Sequence, residues 1–147
     1  MADIPKEVLS ILKSLEKKGF KAYLAGGCVR DLILKTTPKD WDIATSAAPQ
    51  DIQEIFPDSF CNNEFGTVNV KGVEITPFRT EEKYTDKRHP DKVRWAKTIE
   101  EDLSRRDFTA NTIAFAPSSE FIDPYNGQAD IKNKLIRAVG RPEDRFG

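Results

Sequence analysis

Apolar residues along the chain follow two different periods, and these periods predict the order of helices and strands. Between residues 5 and 18 apolar side chains recur every three or four positions, as on one face of an amphipathic helix. Asp3 is the predicted N-cap of this helix and Gly19 its end. Further helices are predicted at residues 28–34, 50–56, 99–106 and 128–134.

Shorter segments have the alternation and the β-branched or aromatic residues that favour strands. They are residues 20–25, 40–45, 59–61, 67–70, 73–79 and the beginning of 121–127. Residues 80–98 are instead polar and charged, and a loop of this length inside a compact domain is usually functional or disordered. We interpret it as a mobile loop beside a functional site.

Composition is that of one ordinary globular domain. The 147 residues are 38% hydrophobic and 32% charged, which is enough for a sizeable buried core. No apolar run approaches the about 20 residues of a membrane span. Residues 1–6 lack the regions of a secretory signal, so we expect a cytoplasmic protein. The net charge of -1 neither predicts nor excludes a nucleic acid as partner.

Cysteine and histidine are too scarce for several common kinds of site. Cys28 and Cys61 form no Cys-x-x-Cys pair, which argues against a disulfide framework. With His89 as the one histidine, a zinc site is not indicated either. His89 is interpreted as a loop residue, so the sequence does not favour nucleophilic schemes that depend on histidine.

Two aspartates in the predicted strand 40–45 are the first candidates for chemistry. Alternation places Asp40 and Asp42 on one face, with Trp41 and Ile43 on the other. Two carboxylates this close raise each other's pKa unless a cation lies between them. Mg²⁺ binds carboxylates together with substrate phosphates. The alternative is an edge strand with two solvated aspartates.

The order strand, Gly26-Gly27, helix suggests a place for an anion next to these aspartates. Glycines allow the backbone to approach a ligand closely, and unpaired N–H groups at a helix start attract phosphate. Arg30 lies one turn into the helix, where it can add a charge-assisted contact. The alternative is a simple chain reversal followed by a surface pair of Arg30 and Asp31.

Further polar residues occur where strands and apolar segments are predicted. Glu74 shares a face of its strand with Thr76, and it is either a third metal ligand or a solvated side chain on a hairpin. Four residues close to the start of an apolar segment either bind a ribose and its phosphates or form a salt-bridged helix face. They are Arg105, Arg106, Asp107 and Asn111.

Three segments resemble the motifs of the class II tRNA nucleotidyltransferases, the family of CCA-adding enzymes and bacterial poly(A) polymerases. They are residues 24–31, 40–45 and 105–111. Residues 121–127 and 134–140 are similar to the segment that closes the family's catalytic head. The resemblance covers nearly the whole chain in order. It implies an α+β fold, a polymerase-beta-like head with a mixed sheet of about five strands flanked by helices.

The resemblance also implies a role for each candidate residue. Two Mg²⁺ ions are bound by Asp40, Asp42 and Glu74. The triphosphate is bound by Gly26, Gly27 and Arg30, and ribose and phosphate are recognised by Arg105, Arg106, Asp107 and Asn111. The implied reaction is attack of the 3′-hydroxyl at the tRNA 3′ end on the α-phosphorus of CTP or ATP, with release of pyrophosphate.

One departure from the family pattern concerns base selection. Residues 1–136 match the head and residues 137–147 the start of a connection to a helical neck, whose Glu-Asp-x-x-Arg motif selects C or A. Residues 143–145 lie upstream of that position, so we expect a truncated chain or a natural minimal form. Residues 84–90 resemble a full-length loop, which favours CCA or A addition over CC addition. Polyadenylation and nucleotide or RNA binding without turnover remain the alternatives.

Overall fold

The computed structural model describes residues 4–62, 66–81, 93–104, 106, 108–117, 121–134 and 139. The first helix has Pro5 as its N-cap, so the prediction of Asp3 as the N-cap is wrong. The loop residues 82–92 with His89, and residues 135–138 and 140–147, lie outside the described ranges. Within them, no helix is both long and apolar enough to cross a membrane.

Five α-helices and eight strands make up the described part of the chain. The helices are α1 (Lys6–Lys17), α2 (Gly27–Ile33), α3 (Pro49–Ile55), α4 (Ile99–Ser104) and α5 (Gly127–Lys132). The strands are β1 (Ala22–Ala25), β2 (Asp42–Thr45), β3 (Phe60–Asn62), β4 (Thr67–Val70), β5 (Val73–Pro77), β6 (Arg79–Glu81), β7 (Val93–Trp95) and β8 (Ala114–Phe115). A short 3₁₀ helix, η1, spans Thr109–Asn111.

The main sheet has six strands in the order β3-β4-β5-β2-β1-β8. Its central pair, β2 and β5, is parallel, and the other pairs are antiparallel. The predicted α+β fold with a mixed sheet is therefore confirmed. Strands β6 and β7 form a separate two-stranded sheet.

Side chains alternate between two hydrophobic clusters on opposite faces of the sheet. Helices α1, α2 and α3 bury their apolar stripes in one cluster, together with Leu24, Ile43 and Ile75. Helix α4 contributes to the other cluster, which contains Ala25 and Ala44. Because neighbours along a strand face opposite ways, Asp42 and Glu74 lie on the face of this second, smaller cluster.

Several predicted boundaries differ from the observed ones. Strand β2 begins at Asp42 rather than at residue 40, and Asp40 lies in a bend before it. The carbonyl of Trp41 nevertheless accepts a hydrogen bond of 3.1 Å from the N–H of Glu74. Helix α4 ends at Ser104, so Arg106 follows the helix instead of belonging to it.

Candidate active site

Two carboxylates meet on the central parallel strands. Asp42 of β2 and Glu74 of β5 are direct partners in the register of the sheet. Asp42 is partly buried, whereas Glu74 and the neighbouring Asp40 are exposed. The fold therefore brings together residues 32 positions apart that the strand pattern alone could not join.

The pKa of Asp42 is raised by burial and by the negative charges around it. Burial raises this pKa from its ordinary 3.8 to about 6, and the charge of Glu74 contributes next. A hydrogen bond to Glu74 and the charge of Asp40 act in the same direction, while Arg106 opposes them. Arg106 thus offsets only part of the rise in the pKa of Asp42 that burial and the neighbouring carboxylates cause.

The chemistry of these donors fits a divalent cation. Hard cations such as Mg²⁺ bind carboxylate oxygens, and a cation beside Asp42 and Glu74 would remove the repulsion between them. In the described ranges, no three side chains of Asp, Glu, His or Cys are grouped closely enough to hold a metal ion. Asp42 and Glu74 are the carboxylates paired by the sheet register here, and the negative charge of Asp40 acts on Asp42 as well.

A glycine corner lies directly beside the carboxylates. Gly26 joins β1 to α2 with a φ of +83°, a conformation that favours glycine. A Cβ atom on Gly26 would lie 3.3 Å from Nη1 of Arg106 and 3.9 Å from Oδ2 of Asp42. The missing side chain therefore leaves the backbone of this corner open towards a guanidinium and a carboxylate.

Arg30 and Asn111 meet on one side of this corner. Nη1 of Arg30 donates a hydrogen bond of 3.1 Å to Oδ1 of Asn111, which lies on η1. Nη2 of Arg30 also lies 3.5 Å from Oδ1 of Asp31, so the surface pair considered from the sequence exists as well. A Cβ atom on Gly27 would lie 3.7 Å from Nη2 of Arg30.

Arg106 lies next to Gly26, with Nη1 at 3.3 Å from the position of a Cβ atom on that glycine. Its Nη2 atom donates a hydrogen bond of 3.1 Å to Oδ1 of Asp102 in α4. Its Nε atom is buried and has no hydrogen-bond acceptor among the described residues. Arg105 and Asp107, the other two predicted residues of this segment, lie outside the described residues.

Sequence reasoning missed the groups that support this arrangement. Asp102 is four positions before Arg106, a spacing at which helical ion pairs form, and this signal was available. Thr109 donates a hydrogen bond of 2.5 Å to the buried Asp130, which fixes η1 against α5. Asp123 accepts hydrogen bonds from the first N–H groups of α5, as its Asp-Pro turn suggests.

A groove of about 490 Å³ adjoins the Arg30 side of the site. It is lined by Arg30, Leu34, Phe108, Ala110, Asn111, Asp130, Ile131 and Lys134. Asp42 and Glu74 do not line this groove, so it is separate from the pair of carboxylates.

Known proteins resemble this chain over nearly its whole length. The Lactobacillus delbrueckii subsp. bulgaricus CCA-adding enzyme is 45% identical over 151 residues, covering 99% of this chain and 38% of the relative. The Ligilactobacillus salivarius CCA-adding enzyme is 47% identical over 146 residues, covering 96% and 36%. The crystal structure of the Bacillus stearothermophilus CCA-adding enzyme in complex with CTP is 40% identical, with a TM-score of 0.84, covering 96% of this chain and 35% of that one.

The chain thus spans well under half the length of these relatives. A family model described as the poly A polymerase head domain matches residues 22–137. The resemblance to tRNA nucleotidyltransferases seen in the sequence is confirmed by these matches. The chain therefore belongs to the poly A polymerase head-domain family, which it shares with the CCA-adding enzymes.

Proposed function

We propose that this chain is the catalytic head of a CCA tRNA nucleotidyltransferase, which adds CMP and AMP from CTP and ATP to the tRNA 3′ end. In this reaction the 3′-hydroxyl oxygen of the RNA forms a bond to the α-phosphorus. The bond from that phosphorus to its bridging oxygen breaks, and pyrophosphate leaves.

One observation supports the proposal most strongly. Asp42 and Glu74 are register partners on parallel strands, and the open corner at Gly26 lies beside them, 3.9 Å from Oδ2 of Asp42 when measured from the position of a Cβ atom. A triphosphate at this corner would have its phosphorus atoms next to the carboxylates. Nucleotidyl transfer requires this juxtaposition of a phosphate site and a cation site.

The residues around the corner supply contacts to the triphosphate. The open backbone at Gly26 admits a phosphate oxygen that a side chain would exclude. Arg106 lies beside Gly26 and Arg30 beside Gly27, and both would donate charge-assisted hydrogen bonds to phosphate oxygens. Asn111 holds the guanidinium of Arg30 through its Oδ1 atom and so fixes the direction of the remaining donors.

Asp40 and Asp42 would hold two divalent cations, with Glu74 as the third carboxylate of the set. When bound, two Mg²⁺ ions would lower the pKa of the attacking hydroxyl and neutralise the leaving pyrophosphate. The chain itself contributes the position of the α-phosphorus and an arrangement of carboxylates that is fixed by strand pairing before substrate arrives.

CCA addition is favoured over polyadenylation by the relatives. Two relatives that are 45% and 47% identical are both named CCA-adding enzymes, and the Bacillus stearothermophilus relative was crystallised with CTP. These similarities support CTP as a substrate, together with the terminal ATP step that completes the CCA end.

The test is an extension assay on tRNA that lacks its 3′ CCA. The chain is incubated with Mg²⁺ and CTP, ATP or both, and product length is read on a denaturing gel. We expect Mg²⁺-dependent addition of CMP or AMP by the head itself. Two added nucleotides with CTP alone and three with both are expected when a neck with the Glu-Asp-x-x-Arg motif is joined to the chain. Long adenosine tails with ATP alone would instead indicate a poly(A) polymerase.

Matched variants show whether the carboxylates carry the reaction. Asp40→Ala combined with Asp42→Ala should abolish extension while the circular dichroism spectrum stays unchanged. Asp58→Asn is the control, because Asp58 is exposed in a turn after α3. Full activity of the folded double variant would contradict the proposal. Mg²⁺-dependent CTP binding without any product would indicate a binding module without turnover.

A further inference from the structure

Asp102 is a buried carboxylate one contact away from the proposed triphosphate site. It lies in α4 with 1% of its side chain exposed, and its Oδ1 atom accepts the hydrogen bond from Nη2 of Arg106. A charge removed from water to this extent is kept only where it is paired. The pair therefore behaves as one unit, and displacing Asp102 displaces the guanidinium.

Among the described residues, Asp102 is the acceptor that the structure gives for Arg106, and it contacts Nη2. Nη1 is the described atom that a Cβ on Gly26 would approach most closely, at 3.3 Å. Nε is buried without an acceptor in the described part of the chain. A nitrogen buried to this extent is not reached by a ligand from solvent, so Nη1 is the donor of Arg106 that lies at the corner.

The two terminal nitrogens of the Arg106 guanidinium have different neighbours. One end is occupied by Asp102, and the other is directed at the Gly26 corner, beside Asp42. A planar guanidinium can serve both sides at once because its five donors form a rigid fork. An ammonium group in the same place could not keep both contacts in one geometry.

We propose that Asp102 is a positioning residue, which holds Arg106 against the Gly26 corner so that its Nη1 atom binds a phosphate oxygen of the nucleoside triphosphate. The inference rests on the proposed function, since it assumes that the corner receives a triphosphate. It adds a residue that touches neither nucleotide nor cation and acts through Arg106.

The experiment measures binding of Mg²⁺–CTP and of Mg²⁺–tripolyphosphate to the chain by calorimetry. Asp102→Asn keeps the shape of the side chain and removes its charge. We expect about a tenfold weaker affinity for both ligands, because the guanidinium is no longer held by a charge-assisted bond. Glu100→Gln is the control, because it removes one charge from an exposed position on the same helix. Its affinities should stay within twofold of the wild type.

A double-variant cycle tests whether Asp102 acts through its partner. Arg106→Lys leaves a positive charge opposite Asp102 and loses the fork, so we expect about a tenfold loss of affinity. The double variant should bind no more weakly than the weaker single variant, because both changes remove the same contact. Additive losses would contradict this coupling and overturn the inference.

Further results of the binding and folding measurements would also decide the question. A lower melting temperature of Asp102→Asn with ligand affinities within twofold of the wild type would make Asp102 purely structural. If Asp102→Asn does not fold, Asp102→Glu replaces it and should show the same loss, since the charge is kept but the guanidinium is shifted. Failure of both variants to fold would overturn the inference. If the wild-type chain binds neither ligand, the proposed function fails first, and this inference fails with it.

Discussion

Burial of Asp42, together with the negative charge of Glu74, predicts that this carboxylate destabilises the metal-free protein. Asp42→Asn removes this charge and keeps the size of the side chain. The pKa of Asp42 is raised from 3.8 to about 6 by burial and by Glu74, so the folded protein disfavours the ionised form. The substitution should therefore stabilise the fold when no divalent cation is present.

The magnitude follows from the difference between the folded and unfolded pKa. A pKa raised from 3.8 to about 6 corresponds to a loss of about 3 kcal/mol of folding stability at a pH where Asp42 is ionised in both the folded and the unfolded protein. Because Asp42 is partly exposed to water, screening reduces this to about 1 to 2 kcal/mol. The contribution of Asp42 to stability is greatest below pH 3.8 and is lost as the pH rises through about 6.

Urea unfolding in EDTA at several pH values measures this effect. At pH 8 the free energy of unfolding of Asp42→Asn should exceed that of the wild type by about 1 to 2 kcal/mol. The advantage should shrink as the pH is lowered towards 4. The control Asp58→Asn should stay within about 0.5 kcal/mol of the wild type.

Added Mg²⁺ should reverse the order. It stabilises the wild type by binding to the folded state and should have little effect on Asp42→Asn. If Asp42→Asn is less stable than the wild type at pH 8 in EDTA, the predicted destabilisation by Asp42 is wrong. The prediction is also wrong if the difference in free energy of unfolding between Asp42→Asn and the wild type does not change with pH, because ionisation of Asp42 would then have no effect on stability.

Three further substitutions test the surroundings of the site. Gly26→Ala forces a side chain into a left-handed φ and against Arg106, so calorimetry should show at least tenfold weaker CTP binding. Gly27 is also predicted at the triphosphate, but Gly27→Ala places its Cβ atom at an ordinary 3.7 Å from Nη2 of Arg30, so CTP affinity should fall less than in Gly26→Ala. Gly127→Ala would bring a Cβ atom to 2.0 Å from the carbonyl oxygen of Thr109, and urea unfolding should show a loss of about 3 kcal/mol or more.

Local patterns predicted the elements well, because each depends on residues close in sequence. The apolar period placed a helix at 5–18, and α1 spans Lys6–Lys17. The alternation that set Glu74 opposite Val73 and Ile75 is observed in β5, where those two residues are buried and Glu74 is exposed. Boundaries were less accurate where pairing decides them, as at the start of β2.

The contacts that assemble the site could not be read from the sequence. The parallel register of Asp42 with Glu74 and the hydrogen bond from Arg30 to Asn111 join residues far apart in the chain. Such pairs depend on how strands and helices pack, which no local spacing encodes. The roles that the resemblance gives to the site residues stay predictions.

The most direct test of the central claim is a crystal structure of this chain with Mg²⁺ and a non-hydrolysable CTP analogue. We expect a cation about 2.1 Å from carboxylate oxygens of Asp42 and Glu74, with the triphosphate against the Gly26 corner. A well-ordered nucleotide bound elsewhere, with no cation at these two carboxylates, would contradict it.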